Sequence, residues 1–299
     1  MKQQIKSSLI LLLTATIWGV AFVAQSVGME YIGPFTFNAI RCVLGGLVLI
    51  PVILVLKKKK ETGAENQEKE DKKTLWTGGI ACGVILCIAS NLQQFGIMEA
   101  SVGKSGFFTA LYIVMIPVIG IFIGKRPGIK LWFCVALAVV GMYLLCMKDG
   151  SFTIERADIM LLLCALAFSF HILVVDYFSP KVDGVKMSCI QFFVCGALSA
   201  VGMIFTEIPD ISNIQAAWLP LLYAGLLSCG VGYTLQIVGQ KGINPIIASL
   251  IMSLESVISA LAGWVILGQV LSLKEIIGCV LMFVAIVITQ IPIGNKKTD

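Results

Sequence analysis

Long apolar runs separated by short polar stretches make up most of the chain. Their approximate limits are residues 7–27, 34–56, 75–98, 105–124, 130–147, 157–177, 186–206, 216–239, 244–267 and 273–291. A helix needs roughly 20 apolar residues to cross a bilayer, and in lipid it satisfies its own backbone polar groups. The runs lack the polar–apolar alternation of barrel strands. The pattern therefore predicts an all-α integral membrane protein with ten transmembrane helices.

Composition agrees with a membrane protein and narrows its chemistry. The chain is 58% hydrophobic and 13% charged, whereas a soluble domain carries roughly 25% charged residues. Its ten cysteines fall in apolar runs without a CxxC motif, and we interpret them as packing residues. A single histidine leaves no Cys/His zinc cluster to build, so we expect no metal and no other cofactor.

The placement of Lys and Arg predicts the orientation. With the N-terminus inside, 17 of these residues fall on the cytoplasmic side and 4 outside, while Arg41 lies within a span. Both termini are therefore predicted to be cytoplasmic. The basic cluster at residues 57–60 borders a span, which is typical of a cytoplasmic loop, with contact to anionic lipid headgroups as the minor alternative. We expect membrane lipids and a small-molecule substrate as partners, and no nucleic acid.

The chain also repeats itself. The stretch "PFTFNAIRCVLGG" from Pro34 aligns with "GVKMSCIQFFVCG" from Gly184 at an offset of 150 residues, and "LQQFG" from Leu92 aligns with "LQIVG" from Leu235 at an offset of 143. We predict two five-helix units, residues 1–148 and 152–292. Because five is odd, the second unit enters the membrane inverted. Inverted repeats are typical of secondary transporters, whose substrate site lies near mid-membrane between the repeats.

Several stretches resemble the EamA-type transporters of the drug/metabolite transporter (DMT) superfamily. They are "IWGVAF" in the first run, "FNAIRCVLGG" in the second, "LYIVMIPVIGIFIGKRPGIKLW" across the fourth, and "SLIMSLESVISALAGWVILGQVLSLKEIIG" across the last two. The resemblance implies a membrane transporter of small metabolites, often an exporter of amino acids or related solutes. The chain departs from the family at Ser256, where a proline often follows the glutamate, and at Gln269, where a glutamate is common. The missing proline predicts a straighter ninth helix.

We therefore predict a secondary transporter in the cytoplasmic membrane that moves an amino acid, a related solute or a drug-like molecule by alternating access, with one half rocking against the other. Export is favoured, and proton coupling or solute exchange would drive it. An intramembrane enzyme and a membrane receptor with a small-molecule pocket remain the alternatives. The single histidine and the scattered acids disfavour a metal-dependent enzyme, and the lack of a phosphate-binding loop motif disfavours a primary pump.

Glu255 is the sharpest candidate for contact with the substrate. It lies 11 residues into the ninth run, which is about 17 Å at 1.5 Å per residue and hence near the bilayer midplane. A carboxyl group at that depth can bind a cationic or amino group, or take up and release a proton. A structural glutamate bonded to a neighbouring helix is the alternative. His171, the only histidine, suits a proton relay, with simple packing as its alternative.

Polar and aromatic residues of other spans complete the predicted substrate set. Amides can read substrate carboxylates, amides or hydroxyls, and they can equally hydrogen-bond one helix to another. The third run carries Asn91, Gln93 and Gln94, and the eighth carries the matching Tyr233 and Gln236. Asn91 and Gln94 are three residues apart and share a helix face, and we select them together with Tyr233 and Gln236. Trp18 and Tyr112 are predicted aromatic walls of the cavity, with core packing as the alternative.

Arg41 stands in an otherwise apolar run, where a buried charge costs about 2.5–3.5 kcal/mol on insertion scales. Its counterpart in the repeat is Gln191. We predict that both are structural or gating residues and that Arg41 bonds backbone carbonyls or a carboxylate, Glu99 or Glu30. Snorkelling to the headgroups and direct substrate contact are the alternatives. Pro117 is predicted to bend the fourth helix for gating.

Overall fold

The computed structural model describes residues 2–62, 71–124, 127–146, 155–268 and 272–290. Within these ranges every regular element is helical. The first half contains α1 (Lys2–Gly28), α2 (Pro34–Thr62), α3 (Lys72–Glu99), α4 (Val102–Ala110), α5 (Tyr112–Phe122) and α6 (Ile129–Cys146). The second half contains α7 (Arg156–Phe178), α8 (Gly184–Thr206), α9 (Ile211–Ala216), α10 (Trp218–Leu222), the π-helix π1 (Tyr223–Tyr233), α11 (Thr234–Gln240), α12 (Pro245–Met252), α13 (Glu255–Leu267) and α14 (Leu273–Gln290). Gln269 lies outside the described residues.

Eight described segments are helices long and apolar enough to cross a membrane. They are Gln4–Gly28, Pro34–Lys57, Lys72–Glu99, Val102–Phe122, Arg156–Phe178, Gly184–Thr206, Trp218–Gln240 and Pro245–Ile266. Ile129–Leu144 is a shorter apolar helix. Large apolar side chains also cover the outside of the bundle, where Phe122 is 85% exposed and Val265 is 74% exposed. An exposed apolar surface of this kind suits contact with lipid tails, and the predicted all-helical membrane fold is confirmed at this level.

The predicted fourth and ninth spans are both interrupted near their middles. The first interruption is at Leu111, between α4 and α5, and the second is at Ser253 and Leu254, between α12 and α13. The expectation of a straighter ninth helix is therefore wrong. The hydroxyl groups of Ser249 and Ser253 donate to the backbone carbonyls three residues earlier, each at 2.8 Å. Such bonds compete with the regular helical ladder and bend helices without a proline.

Pro117 lies within α5, six residues beyond the interruption at Leu111. The interruption of the predicted fourth span therefore precedes the proline. At Leu111 the backbone N–H group turns to the carbonyl of Phe108, at 3.2 Å, in the tighter three-residue pattern. A gating role for Pro117 stays a prediction.

The predicted eighth span is not a uniform α-helix. Its centre is π1, which packs against α2. The two backbones approach closely, because a side-chain carbon added at Gly45 would lie 2.6 Å from Cβ of Cys229, and one added at Gly225 would lie 2.7 Å from Cβ of Leu44. Glycine at these positions permits the contact, and π-helical turns are often found at functional sites.

The helices pack in a pattern that is unchanged when the two halves are exchanged. The pairs α2 with α8 and α6 with α14 join matching helices of the two halves. The contacts of α3 with α7 and α8 are mirrored by those of π1 and α11 with α1 and α2. The contacts of α4 and α5 with α7 are mirrored by those of α12 and α13 with α1. Each half therefore packs mainly against the other half, and the centre of the bundle is built from both.

Candidate functional site

A narrow cavity lies at the centre of the bundle. Helices of both halves surround it. Its lining consists of Trp18, Ala21, Phe22 and Gln25 on α1, Arg41 on α2, Gln93 on α3, Thr109 on α4, Tyr112 on α5, Phe168 and Ile172 on α7, Ser228 and Tyr233 on π1, Gln236 on α11 and Glu255 on α13. A guanidinium group, a carboxyl group, three amides and two phenols thus face one space.

Glu255 and Tyr112 meet where the two helices are interrupted. Tyr112 is the first residue of α5 and Glu255 is the first residue of α13. The Tyr112 hydroxyl donates to Glu255 Oε1 at 3.0 Å, and Glu255 is only 4% exposed. The two residues are 143 apart, which is the offset that relates Leu92 to Leu235. They are therefore matching positions of the repeat, joined to each other across its centre.

Arg41 reaches the same cavity from α2. Its Nη1 donates to Gln25 Oε1 on α1 at 2.7 Å, and its guanidinium carbon lies 5.6 Å from the centroid of the Phe37 ring. The expected pairing with Glu99 or Glu30 is wrong, because both are exposed and no carboxylate among the described residues lies within ion-pairing distance of Arg41. Arg41 is 2% exposed, so it does not snorkel to the surface.

Two glutamines at matching repeat positions, Gln93 and Gln236, also line the cavity. Gln93 Nε2 donates to Thr109 Oγ1 at 3.4 Å, and Gln236 Oε1 is buried without a hydrogen-bond partner among the described residues. Opposing them is an aromatic wall in which the Trp18 and Tyr233 ring centroids are 4.6 Å apart. The amides therefore supply polar contacts beside an apolar surface, which is typical of small-molecule sites.

The structure brings six of the predicted site residues to the cavity and places the others elsewhere. Those at the cavity are Trp18, Arg41, Tyr112, Tyr233, Gln236 and Glu255. Asn91 instead accepts from Asn38 at 2.9 Å and donates to Ser199 at 3.0 Å, while Gln94 contacts the Met29 sulfur. Pro117 also lies away from the lining.

His171 and Gln191 form a pair behind the cavity wall. His171 Nε2 and Gln191 Oε1 are 3.1 Å apart, and both side chains are fully buried. The His171 ring stands edge-on to Tyr233, with centroids 6.0 Å apart. The aromatic ring of Tyr233 thus stands between this pair and the cavity, and a role for His171 in transport stays a prediction.

Sequence reasoning missed the polar lining residues Gln25, Thr109 and Ser228. It named Gln93 in the polar set of the third run but selected Asn91 and Gln94, and the structure places Gln93 at the cavity instead. The repeat held the missing signal, since Gln93 precedes the selected Gln236 by 143 residues. Nothing comparable marks Gln25. Among the described residues no group of three or more His, Cys, Asp or Glu side chains could hold a metal ion.

A comparison with known protein families also divides the chain into two similar halves. A model of the EamA-like transporter family matches the chain twice, over residues 5–147 and residues 155–291. The chain belongs to this family. The resemblance seen in the sequence motifs is confirmed, and with it membership of the DMT superfamily. The boundaries predicted for the two units, 1–148 and 152–292, stay a prediction.

Relatives of this EamA-family protein carry matching names. An uncharacterized transporter of Archaeoglobus fulgidus is 26% identical over 282 residues, covering 94% of this chain and 84% of the relative. The uncharacterized transporters YoaV and YwfM of Bacillus subtilis are 21% and 22% identical and cover 94% and 97% of this chain, and 95% and 96% of their own lengths. Family and relatives together make the chain a multi-pass membrane transporter.

A solved crystal structure shares the fold. It superposes with a TM-score of 0.76 at 18% identity, covering 95% of this chain and 96% of the other. At that level of identity the likeness concerns the arrangement of helices alone.

Proposed function

We propose that this EamA-family protein is a secondary transporter that moves a small metabolite across the cytoplasmic membrane by alternating access. The observation that carries the proposal is the central cavity, because helices of both family matches build it and it lies where two helices are interrupted. Substrate sites of secondary transporters lie at the interface of repeats, beside discontinuous helices.

The architecture that goes with this function has ten spans in two inverted five-helix units, with both termini in the cytoplasm. The exchange of packing partners between halves supports the duplication. The matched helix interruptions at Leu111 and Ser253 support it as well. The positions of Lys and Arg in the sequence support the orientation.

Glu255 is the central substrate-contacting group in the proposal. It is buried in the cavity and its carboxyl group is held by the Tyr112 hydroxyl. In this position it binds an amino group of the solute, or exchanges a proton as the cavity opens to one side and then the other. The solute is an amino acid or a related compound, and export is the favoured direction. Gln93 and Gln236 supply further hydrogen bonds to it.

The test is counterflow in proteoliposomes that contain the purified wild type, Glu255→Gln or the control Glu99→Gln. Glu99 is exposed at the end of α3, so the control makes the same chemical change away from the cavity. The small-molecule fraction of a bacterial cell extract serves as the solute pool, and mass spectrometry identifies what accumulates. We expect accumulation with the wild type and Glu99→Gln, and at least a tenfold loss with Glu255→Gln.

The possible outcomes separate the function classes. Unchanged accumulation with a folded Glu255→Gln variant would remove Glu255 from the site. Solute-dependent thermal stabilisation of the wild type without any accumulation would indicate a receptor, and chemical conversion of a solute would indicate an enzyme.

A further inference from the structure

Arg41 carries a charge that the described part of the protein does not balance. A guanidinium group stays protonated under all physiological conditions and offers five N–H donors. Arg41 Nη1 is bonded to Gln25, but Nε is buried with no hydrogen-bond partner among the described residues. The ionisable groups that interact with it are the Cys42, Cys164, Cys195 and Cys229 thiols and the Tyr233 phenol. None of these is a carboxylate.

The scaffold does not require a charge at this position. The matching residue of the second half, Gln191, is equally buried and joins α8 to α7 through His171. An amide is thus enough to tie the two helices together. A structural role for Arg41 would explain the bond to Gln25, but it would leave the unpartnered Nε and the positive charge without a purpose.

A ligand in the cavity could provide the anionic partner that Arg41 lacks among the described residues. Arg41 lines it, Gln25 lines it as well, and the bond between them fixes the guanidinium plane from the side of α1. Planar guanidinium groups bind carboxylates through two parallel hydrogen bonds, which a point charge such as a lysine does not match. A buried guanidinium group that lines a cavity and has no carboxylate partner among the described residues is suited to an anionic group that arrives with a ligand.

We infer that Arg41, positioned by Gln25, binds the carboxylate group of the transported solute. The inference rests on the proposed function and deepens it. Glu255 lines the same cavity and is bonded to Tyr112 rather than to Arg41, so the guanidinium group and the carboxyl group stay available to different parts of one solute. The solute class is a zwitterion with a carboxylate and an amino group, bound with its charges matched to both residues.

The experiment uses the same proteoliposomes and cell-extract fraction with the wild type, Arg41→Gln, Arg41→Lys and the control Gln191→Leu. Gln191→Leu removes a buried interhelical hydrogen bond outside the cavity and tests for general damage. The solutes that the wild type accumulates are then offered in pairs, each with its own α-carboxamide, in which the charge of the carboxylate is removed.

We expect the accumulated solutes to carry a carboxylate and an amino group, and the wild type to prefer each acid over its amide by at least tenfold. Arg41→Gln should reduce this preference to within about threefold of unity, and Arg41→Lys should restore part of it. Gln191→Leu should keep the preference, whatever its total yield. Tenfold is the discrimination expected from one good charged hydrogen-bonding contact.

Different failures have different meanings. Accumulation of solutes that lack a carboxylate, or an unchanged preference in Arg41→Gln, would overturn the inference while leaving transport in place. Thermal stabilisation of the wild type but not of Arg41→Gln by chloride alone, with no effect of the carboxylate solutes, would also overturn it and indicate an inorganic-anion site. No accumulation above empty liposomes would overturn the proposed function itself.

Discussion

In each half of the molecule, a buried side-chain hydrogen bond joins the first two helices, but the residues that form it differ between the halves. In the first half Arg41 on α2 bonds Gln25 on α1, and in the second half Gln191 on α8 bonds His171 on α7. Arg41 and Gln191 are 150 residues apart, at matching positions of the repeat. One pair faces the cavity and carries a full charge, while the other is neutral and lies behind Tyr233.

The comparison of Arg41 with Gln191 distinguishes what helix packing requires at this position from what the proposed function requires. A buried polar bond between the two helices is needed in both halves, since lipid cannot hydrogen-bond the groups that form it. A charge is present only where the cavity opens. In the proposed mechanism, the symmetric scaffold supplies the stability, and the departures from symmetry, at Arg41 and at Glu255 opposite Tyr112, supply the specificity.

The largest effect should come from Gln25→Leu. The substitution leaves the Arg41 guanidinium without its side-chain acceptor, and loss of a hydrogen bond to a buried charge costs about 1.5–3 kcal/mol. We expect a clear drop in the thermal unfolding midpoint in detergent together with loss of transport. Gln25→Glu should restore stability by pairing with Arg41 but should leave transport low. A Gln25→Leu protein with wild-type stability and transport would contradict the assigned role of Gln25.

The matching change in the second half is His171→Leu. It leaves the buried Gln191 amide without its main partner, which costs about 1–3 kcal/mol. Because the pair lies outside the cavity, we expect the folded variant to transport within twofold of the wild type. The double variant His171→Leu/Gln191→Leu should recover part of the lost stability, because removal of both partners leaves no unpaired group. Abolished transport in a stable His171→Leu protein would instead favour a proton relay.

A smaller effect should appear at the beginnings of α2 and α8. Asp183 caps α8 locally by accepting from the Val185 backbone at 3.0 Å. The matching position before α2 is Gly33, and there the distant Glu207 accepts from the backbone N–H groups of Phe35 and Thr36, each at 2.8 Å. Loss of either cap should cost about 1 kcal/mol.

Introducing the aspartate cap of α8 at the start of α2 tests this comparison of caps directly. A side-chain carbon added at Gly33 would lie 2.4 Å from the Glu207 carboxyl carbon, so Gly33→Asp alone should destabilise the protein. Gly33→Asp combined with Glu207→Ala would recreate the local cap of the second half, and we expect its unfolding midpoint to exceed that of Glu207→Ala. A double variant no more stable than Glu207→Ala would show that the remote cap has a role besides capping.

The smallest effect concerns another matched pair. Asn38 donates to Asn91 at 2.9 Å, and 150 and 143 residues later Thr234 donates to Ser188 at 2.9 Å. Interhelical hydrogen bonds in membranes average about 0.6 kcal/mol. A double-mutant cycle of Ser188→Ala and Thr234→Val, followed by unfolding in detergent, should give a coupling energy of that size. A coupling energy several times larger would show that the pair is part of a network.

The sequence was sufficient for the helical membrane fold and for six of the fourteen residues that line the cavity. Hydrophobic run lengths predicted the spans, and the repeat offsets connect Gln93 with Gln236. The interruption before Glu255 was not predictable from a missing proline, because it lies in a segment that contains no proline and has serine hydroxyl bonds to the backbone. The partner of Arg41 was also out of reach. We expected a carboxylate partner because Arg41 is positively charged, and this reasoning cannot identify a neutral glutamine on the neighbouring helix.

The exchange of packing partners has a consequence for how the chain assembles. α1, α2 and α3 find their main neighbours among helices that follow residue 155. During synthesis, the first half therefore enters the bilayer before the helices that pack against it. Its glycine-containing and polar helix surfaces stay exposed to lipid until the second half is inserted. Either half produced alone should be a target for degradation, and the two produced together as separate chains should rescue each other.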